Sequence, residues 1–399
     1  MTRSNHLHFY YDTLFQLFGR RLYRVIIFLI FLSLLVPGRP SANADAEKPQ
    51  SIKIGAVFSV TGIAAPHNQP MLEMTQLAIN HINDNGGVLG RPLELIVFDN
   101  LSTPIGSAQA AHHIVQQDIT AVIGAHWSSH SLIIAPILQE AGIPMISPGS
   151  TNPAVTRDRD YIFRACFVDS FQGVAMAKFA SEELQAKTGV IVTNIDEDYS
   201  TTLGKFFSNA FQQTGGRILS ELFYRGNATD FSKIISQLMQ QKADVVYLPG
   251  YTRDSGLFIK QAARMGLSTT FLGGDAWDEI GKYAEGAING SYQSAPWHPQ
   301  APFPASHRMQ ELYFTTHGKE IGNNSSPLAY DAVMLLADAI SRAGTPSRKA
   351  IRDALSSTKD FPGATGKITF DDNGDPLRKG IIIIAFKDEK AIFKKTIIP

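Results

Sequence analysis

The chain has 399 residues, of which 44% are hydrophobic and 18% charged. That balance excludes a disordered polymer and is long enough for two domains. Its formal net charge is zero, with Lys and Arg scattered and no basic stripe, which argues against a nucleic-acid surface, and the lone cysteine, Cys166, excludes an intrachain disulfide.

The first distinct stretch is apolar. Arg20, Arg21 and Arg24 precede a twelve-residue apolar run over 25–36, which Pro37, Gly38 and Pro40 break. Ser41-Ala42-Asn43-Ala44 then supplies the small residues of an A-x-A site. This pattern predicts a secretory signal peptide over 1–44, cleaved near Ala44, and a soluble mature protein. A permanent span would need about 20 apolar residues. Residues 1–44 carry five Arg and one Asp, so the mature chain has 31 basic and 35 acidic side chains and a formal charge of −4.

The next segments alternate between strand and helix. Strands are expected at 52–58, 93–98, 121–124 and 143–146, and helices at 71–83, 105–117 and from 128 to Gly142, with His67 and Asn68 in the loop after the first strand. Pro136 is expected near the first turns of the third helix, where proline is best tolerated. The stretch 121–153 organises the rest. Its first strand ends at a polar turn where Ser128 and Ser129 sit at an expected N-cap, and its second runs into Ser147-Pro148-Gly149-Ser150-Thr151-Asn152-Pro153. In open parallel sheets, ligands bind beyond the carboxyl ends of the strands, and a helix start favours an anion. These loops therefore form a candidate carboxylate site, with Ser128 as hydroxyl donor and the Thr151 region facing it.

The alternation then begins again. Helices are expected at 171–186, 202–213, 231–241 and 255–265, and strands at 189–194, 218–224, 243–248 and 270–272. The second block's strands end in loops at Asp196-Glu197-Asp198-Tyr199, Pro249-Gly250-Tyr251 and Gly273-Gly274-Asp275. Two similar α/β blocks argue for two parallel-sheet domains covered by helices. The chain is expected to cross between them at Asp169, at Trp297-His298-Pro299 and at Gly380. A helix over 329–343, a hairpin around Asn373-Gly374 and a last buried strand at 381–386 complete the reading.

Four passages, IKIGAVFSVTG, NDNGGVLGRPLEL, ISPGSTNP and GKITFDDNGD, resemble the extracytoplasmic substrate-binding proteins of branched-chain amino acid ABC importers. The resemblance covers the chain from about Ile52 onward. It implies the type I periplasmic binding protein fold: two Rossmann-like, doubly wound domains joined by a three-crossing hinge, with the ligand between them. The implied lobes are 51–168 plus 299–379, and 169–298 plus 380–399.

By motif, Ser128 matches the ligand-carboxylate serine, Gly149 a backbone carbonyl for the ammonium, and Thr151 a threonine touching both groups, with Ser150 between them. Tyr199 and Tyr251 match pocket tyrosines of the second domain. Asp275 stands where the family usually has a Glu that pairs with the ammonium, and Asp278 is its substitute should Asp275 prove too short. His67 or Asn68 falls at a ligand-dependent position, and Trp127 replaces a small residue or Cys. As a loop-end acid, Asp275 is expected to contribute little to the core.

The implied function is delivery of a small amino acid, branched-chain or related, to an importer's membrane permease by a monomeric periplasmic protein. A sensor of the same fold, taking an amide, urea or aromatic carboxylate to a membrane receptor, fits the resemblance too. No cofactor or metal is implied: His112 and His113 lack ligand spacing, and G-x-S-x-G, G-x-x-x-x-G-K-[ST] and H-E-x-x-H are missing from the sequence, which argues against an enzyme.

Overall fold

The computed structural model describes residues 50–226 and 228–398, and the signal-peptide expectation for 1–44 lies outside them. The first sheet is built from β1 (Ile52–Phe58), β2 (Leu93–Asp99), β3 (Ala121–Gly124), β4 (Met145–Ser147) and β5 (Ile162–Arg164), all parallel in the order β2-β1-β3-β4-β5. Helices α1 (Ala65–Asp84), α2 (Pro104–Val115) and α3 (Ser128–Glu140) connect them. β3 is buried along its whole length, as expected of a central parallel strand covered on both faces.

The second sheet repeats the plan. β6 (Thr188–Asn194), β7 (Arg217–Tyr224), β8 (Val245–Leu248), β9 (Thr270–Gly273) and β10 (Tyr292–Ala295) run parallel in the order β7-β6-β8-β9-β10. Between them lie α4 (Asp169–Lys178), α5 (Asp198–Gln213), α6 (Ser232–Gln241), α7 (Thr252–Arg264) and the short α8 (Gly281–Ala284). The chain then returns to the first domain for α9 (Pro304–His317), α10 (Pro327–Ala343), α11 (Arg348–Ser356) and the hairpin β11 (Phe361–Gly363) and β12 (Gly366–Ile368). It ends as β13 (Ile381–Lys387) and β14 (Lys390–Ile397), antiparallel additions to the second sheet. The chain thus passes between the sheets three times, after β5, after β10 and before β13. The expected architecture of two doubly wound domains and a three-crossing hinge is present.

Each sheet has a core on both faces. α1, α10 and α11 cover one face of the first sheet, and α2 and α3 the other. α4 and α5 cover one face of the second sheet, and α6, α7 and α8 the other. Ala64 and Trp127 of the first domain pack into the second domain's core cluster, so the two domains share apolar contacts.

Several local expectations change. α1 begins six residues before 71, because Pro66 fits the first helical turn, where its missing N–H costs nothing. His67 and Asn68 are therefore helical. α5 begins at Asp198, an acid in the first turn, which places Tyr199 on the helix. Pro136 lies well inside α3, so the Leu132 carbonyl four residues back has no amide partner there. β5, β10 and β11 are three or four residues long, too short for periodicity to reveal. β14 follows the strand expected to be the last buried one. It is an edge strand, and Lys390, Lys394 and Lys395 guard it against further pairing. The hairpin turn at Asn373-Gly374 is present, closed by the Phe370–Pro376 bridge.

One buried ion pair ties this turn to the loop after β4. Arg164, fully buried, donates from Nε to Asp375 Oδ1 at 2.6 Å, and from Nη2 to Thr156 Oγ1 at 2.7 Å and Asn152 O at 3.0 Å. Its Nη1 donates to the Ser150 carbonyl. Breaking such a pair from one side typically costs about 3–5 kcal/mol, because the remaining charge stays buried. Arg164→Met should lower the stability measured by urea unfolding by about that amount. An unchanged unfolding midpoint would contradict this account of the loop.

Candidate functional site

In both sheets the strand order reverses beside the first strand, between β1 and β3 and between β6 and β8. The carboxyl ends at such a switch point are where α/β sheets hold ligands. The two sets of loops meet around a cavity of about 20 Å³. His67, His126, Trp127, Ser128 and Gly149 line it from the first domain, together with Ser325 from the segment before α10. Tyr199, Tyr251, Asp275, Ala276 and Asp278 line it from the second.

The first-domain wall depends on tight packing between two loops. Gly124 has a φ of +125°, and a Cβ there would lie 2.2 Å from the Val57 carbonyl oxygen, so only glycine fits the turn out of β3. Trp127, not Ser128 or Ser129, is the N-cap of α3, and no side chain caps this helix. Ser128 is its first residue, and its Oγ accepts the Asn152 N–H at 3.3 Å. A chain of hydroxyls then joins the loops: Ser147 Oγ donates to the Ala125 carbonyl at 2.7 Å, and Ser131 and Ser150 share a hydrogen bond of 2.7 Å. Gly149 lets the second loop approach the first, since a Cβ there would meet His126 Nδ1 at 2.2 Å.

Not every expected residue reaches the cavity. The Ser150 hydroxyl is turned inward and donates to the carbonyls of Ala125 and His126, at 3.2 and 3.0 Å. Thr151 is fully buried behind the wall, and its carbonyl accepts the Asp169 N–H at 2.9 Å. Asn68 is also buried, its amide bonded to Ser59 N at 3.2 Å and to the Ala64 carbonyl at 2.9 Å. Successive helical residues point about 100° apart, so His67 and Asn68 cannot share a direction, and His67 is the one at the cavity. His126, Ala276 and Ser325 were not anticipated. His126 sits in the same loop as Trp127 and could have been found there, whereas Ser325 carries no local signal.

The second-domain wall is aromatic and acidic. Asp275 is not a loose loop acid: it is 7% exposed, and its Oδ1 accepts hydrogen bonds from Gln172 Nε2 at 2.7 Å and Tyr199 OH at 2.9 Å. Asp278 Oδ1 accepts the Asn324 N–H of the first domain at 2.7 Å. Tyr251 stacks on Trp127 across the domains, with ring centroids 3.9 Å apart at 13°, and on Tyr199 at 5.4 Å. An adjoining recess of about 90 Å³ shares His67 and Asp278 with the cavity but neither the tyrosines nor Asp275.

Burial dominates the electrostatics. It drives the His126 ring down to about 3 and the His130 ring down to about 4, so both are neutral near pH 7. It pushes the Asp275 carboxyl up against the pull of Gln172 and Tyr199, and raises Asp278 to about 6. Asp169, behind Thr151, is held well above the usual carboxylate range by burial and then by the negative charge of Asp275. Neither Asp169 oxygen has a hydrogen-bond partner among the described residues. No Lys or Arg is among the cavity-lining residues. Such a wall can hold an anion only through hydroxyls and N–H groups, and can hold a cation through carboxylates and ring faces.

Comparison with known proteins gives a consistent picture. The family model described as periplasmic binding protein matches residues 51–389. The chain is similar to the leucine binding protein LivK of Thermotoga maritima, with 36% identity, a TM-score of 0.83, and coverage of 87% of this chain and 99% of that one. It is also similar to the branched-chain amino acid transporter substrate binding protein LivJ of Streptococcus pneumoniae, solved with isoleucine, at 28% identity, a TM-score of 0.82, and coverage of 88% and 100%. The leucine-, isoleucine-, valine-, threonine- and alanine-binding protein of Pseudomonas aeruginosa is 28% identical over 349 residues, 87% of this chain and 92% of the relative.

A second contact across the cleft responds to pH. Ser129 Oγ of the first domain donates to Glu197 Oε2 of the second at 3.4 Å. Burial raises the Glu197 carboxyl from 4.5 to about 7; Ser129 opposes the rise, while Asp254, Asp198 and Asp196 add to it. A carboxyl raised in the folded state stabilises the fold fully below its unfolded pKa, and loses that contribution as pH rises through about 7. The depressed histidines act in the opposite sense, so the effect must be isolated by substitution. Wild type should lose more stability than Glu197→Gln between about pH 5.5 and 8, by on the order of 1 kcal/mol. Parallel pH profiles in urea unfolding would refute it.

Proposed function

Because this chain belongs to the periplasmic binding protein family, we propose that it captures an amino acid of the branched-chain or a related type between its two domains and delivers it to the permease of an ABC importer. The observation that carries this reading is the cavity itself. The first domain brings Ser128 and the start of α3 to one wall, and the second brings Asp275 and two tyrosines to the other. A zwitterion answers both walls at once: its carboxylate meets the hydroxyl and free N–H groups, and its ammonium meets Asp275. The amino-acid-binding and transporter names of the similar proteins favour import over the sensor reading.

The lobes that close on the ligand are 51–168 plus 299–379 and 169–298 plus 380–399, with residues 1–44 removed as a signal peptide on export. The protein acts as a monomer and binds its ligand without chemical change. Binding across the cleft stabilises the closed arrangement because the ligand touches both lobes there. Of the residues matched by motif, Ser128, Gly149, Tyr199, Tyr251 and Asp275 contact the ligand, with His67 and Trp127 at its side-chain end. Ser150 and Thr151 act from behind the wall by fixing the loop that carries Gly149.

Isothermal titration calorimetry on the wild type, Ser128→Ala and Asp275→Asn tests this. Removing one partner of a buried charge pair costs about 2–5 kcal/mol, which is roughly 30-fold or more in affinity. Asp275→Asn, which keeps the shape of the side chain, should lose at least that much for an amino acid the wild type binds. Ser128→Ala should lose less, because the helix N–H groups remain. An Asp275→Asn variant that binds as tightly as the wild type would refute the ammonium role.

A further inference from the structure

We propose that Trp127 sets the size limit of the cavity, so that among amino acids it selects those with side chains of about alanine or serine size and disfavours leucine. This rests on the reading of the cleft as an amino-acid site, and it narrows the proposed ligand from the branched-chain type to its smaller relatives. Three observations carry it, and the first is volume. On the scale where one water needs roughly 10–15 Å³, and where a cavity that takes benzene measures about 150 Å³, the cavity beside Trp127 measures about 20 Å³. A space that holds about one water must widen for any amino acid, and each added side-chain carbon widens it further; the adjoining recess of about 90 Å³ is lined by His67 and Asp278 and not by Trp127, so the room that is missing lies on the Trp127 side.

The second observation is that the Trp127 ring stacks on two neighbouring rings. Tyr251 of the second domain lies against one face, with centroids 3.9 Å apart and planes 13° apart. His130, one turn along α3, stacks on the ring at 5.7 Å and 16°. His130 is itself held by Asn100, with Nδ2 to Nδ1 at 3.2 Å. Optimal carbon–carbon contact lies at about 3.5–4.0 Å, so nothing inserts between Trp127 and Tyr251 without separating them.

The third observation is that the ring belongs to the apolar core of the second domain although its backbone belongs to the first. Trp127 is 8% exposed and packs in the same cluster as Tyr199, Leu203 and Tyr251. Swinging it aside would break two ring contacts and open that cluster to water, a cost that falls on large ligands and not on small ones. A bulky residue that fills part of a site discriminates by overpacking, and single-methylene differences of this kind are worth about 10- to 200-fold in selectivity.

The test is calorimetry of the mature chain with alanine, serine, valine and leucine, on wild type, Trp127→Ala and Trp127→Leu, with circular dichroism to confirm folding. Wild type should bind alanine or serine at least about tenfold more tightly than leucine. Trp127→Ala should reverse the order, with leucine gaining at least about tenfold relative to alanine, and Trp127→Leu should fall between. If wild type binds leucine as tightly as alanine, the size limit is overturned, and that result needs no variant to fold. If leucine is weak but its rank is unchanged in folded Trp127→Ala, the limit is set elsewhere and the proposal is again overturned. If none of the four amino acids binds wild type or variant, the amino-acid reading of the cleft fails, and the size limit falls with it.

Discussion

A carboxylate taken out of water needs donors or a countercharge, and Asp275 has two neutral donors on one oxygen. Gln172 and Tyr199 keep the group in place without neutralising it, and Asp169 adds a second buried carboxyl nearby. The surrounding cavity wall contributes rings and hydroxyls and no Lys or Arg. The second domain thus presents a buried carboxyl, which a nearby cation would hold ionised, to a surface of the first domain that offers hydroxyl and N–H groups. This asymmetry between the walls is the physical basis of the proposed zwitterion site, because it assigns opposite charges of one ligand to opposite domains.

The rest of the fold serves to hold those walls in place. Both sheets use the same strand order, so each places its switch point at the same end, and the two ends face one another. Gly124 and Gly149 let two first-domain loops approach more closely than any side chain would permit. Arg164 then holds the second of those loops through three acceptors and ties it to Asp375 of the hairpin turn through a fourth. In the second domain, Gly274 leaves room for the Tyr199 hydroxyl, since a Cβ there would lie 2.1 Å from it. The Trp127–Tyr251 stack is the apolar contact where the two walls touch.

Much of this was legible in the sequence, for physical reasons that differ by element. β3 and β8 are uninterrupted apolar runs ending in glycine or polar turns, and β1 is broken only by Lys53 near its start, a pattern that buried parallel strands leave plainly. Asp275 was legible because it follows a strand and two glycines. Helix starts were harder: Pro66 and Asp198 read as loop residues but open α1 and α5, which moved His67 and Tyr199 onto helices. The direction of a side chain was not legible at all. Ser150 and Thr151 adjoin Gly149 in sequence, yet their hydroxyls lie behind the wall, because a loop turns each residue according to contacts made elsewhere. Ser325 comes from the return segment before α10, and only the chain's return to the first domain after β10 brings it to the cavity.

The division of charge between the domains can be tested on the ligand rather than on the protein. Calorimetric titration of the wild-type mature chain with alanine, ethylamine and propionate compares a zwitterion with each of its halves at nearly constant size. Each half leaves one wall without its partner, which for a buried charge costs about 2–5 kcal/mol. Alanine should bind measurably, with ethylamine and propionate each weaker by roughly 30-fold or more. Ethylamine or propionate binding as tightly as alanine would contradict the division of charge, and would show that one domain alone supplies the recognition.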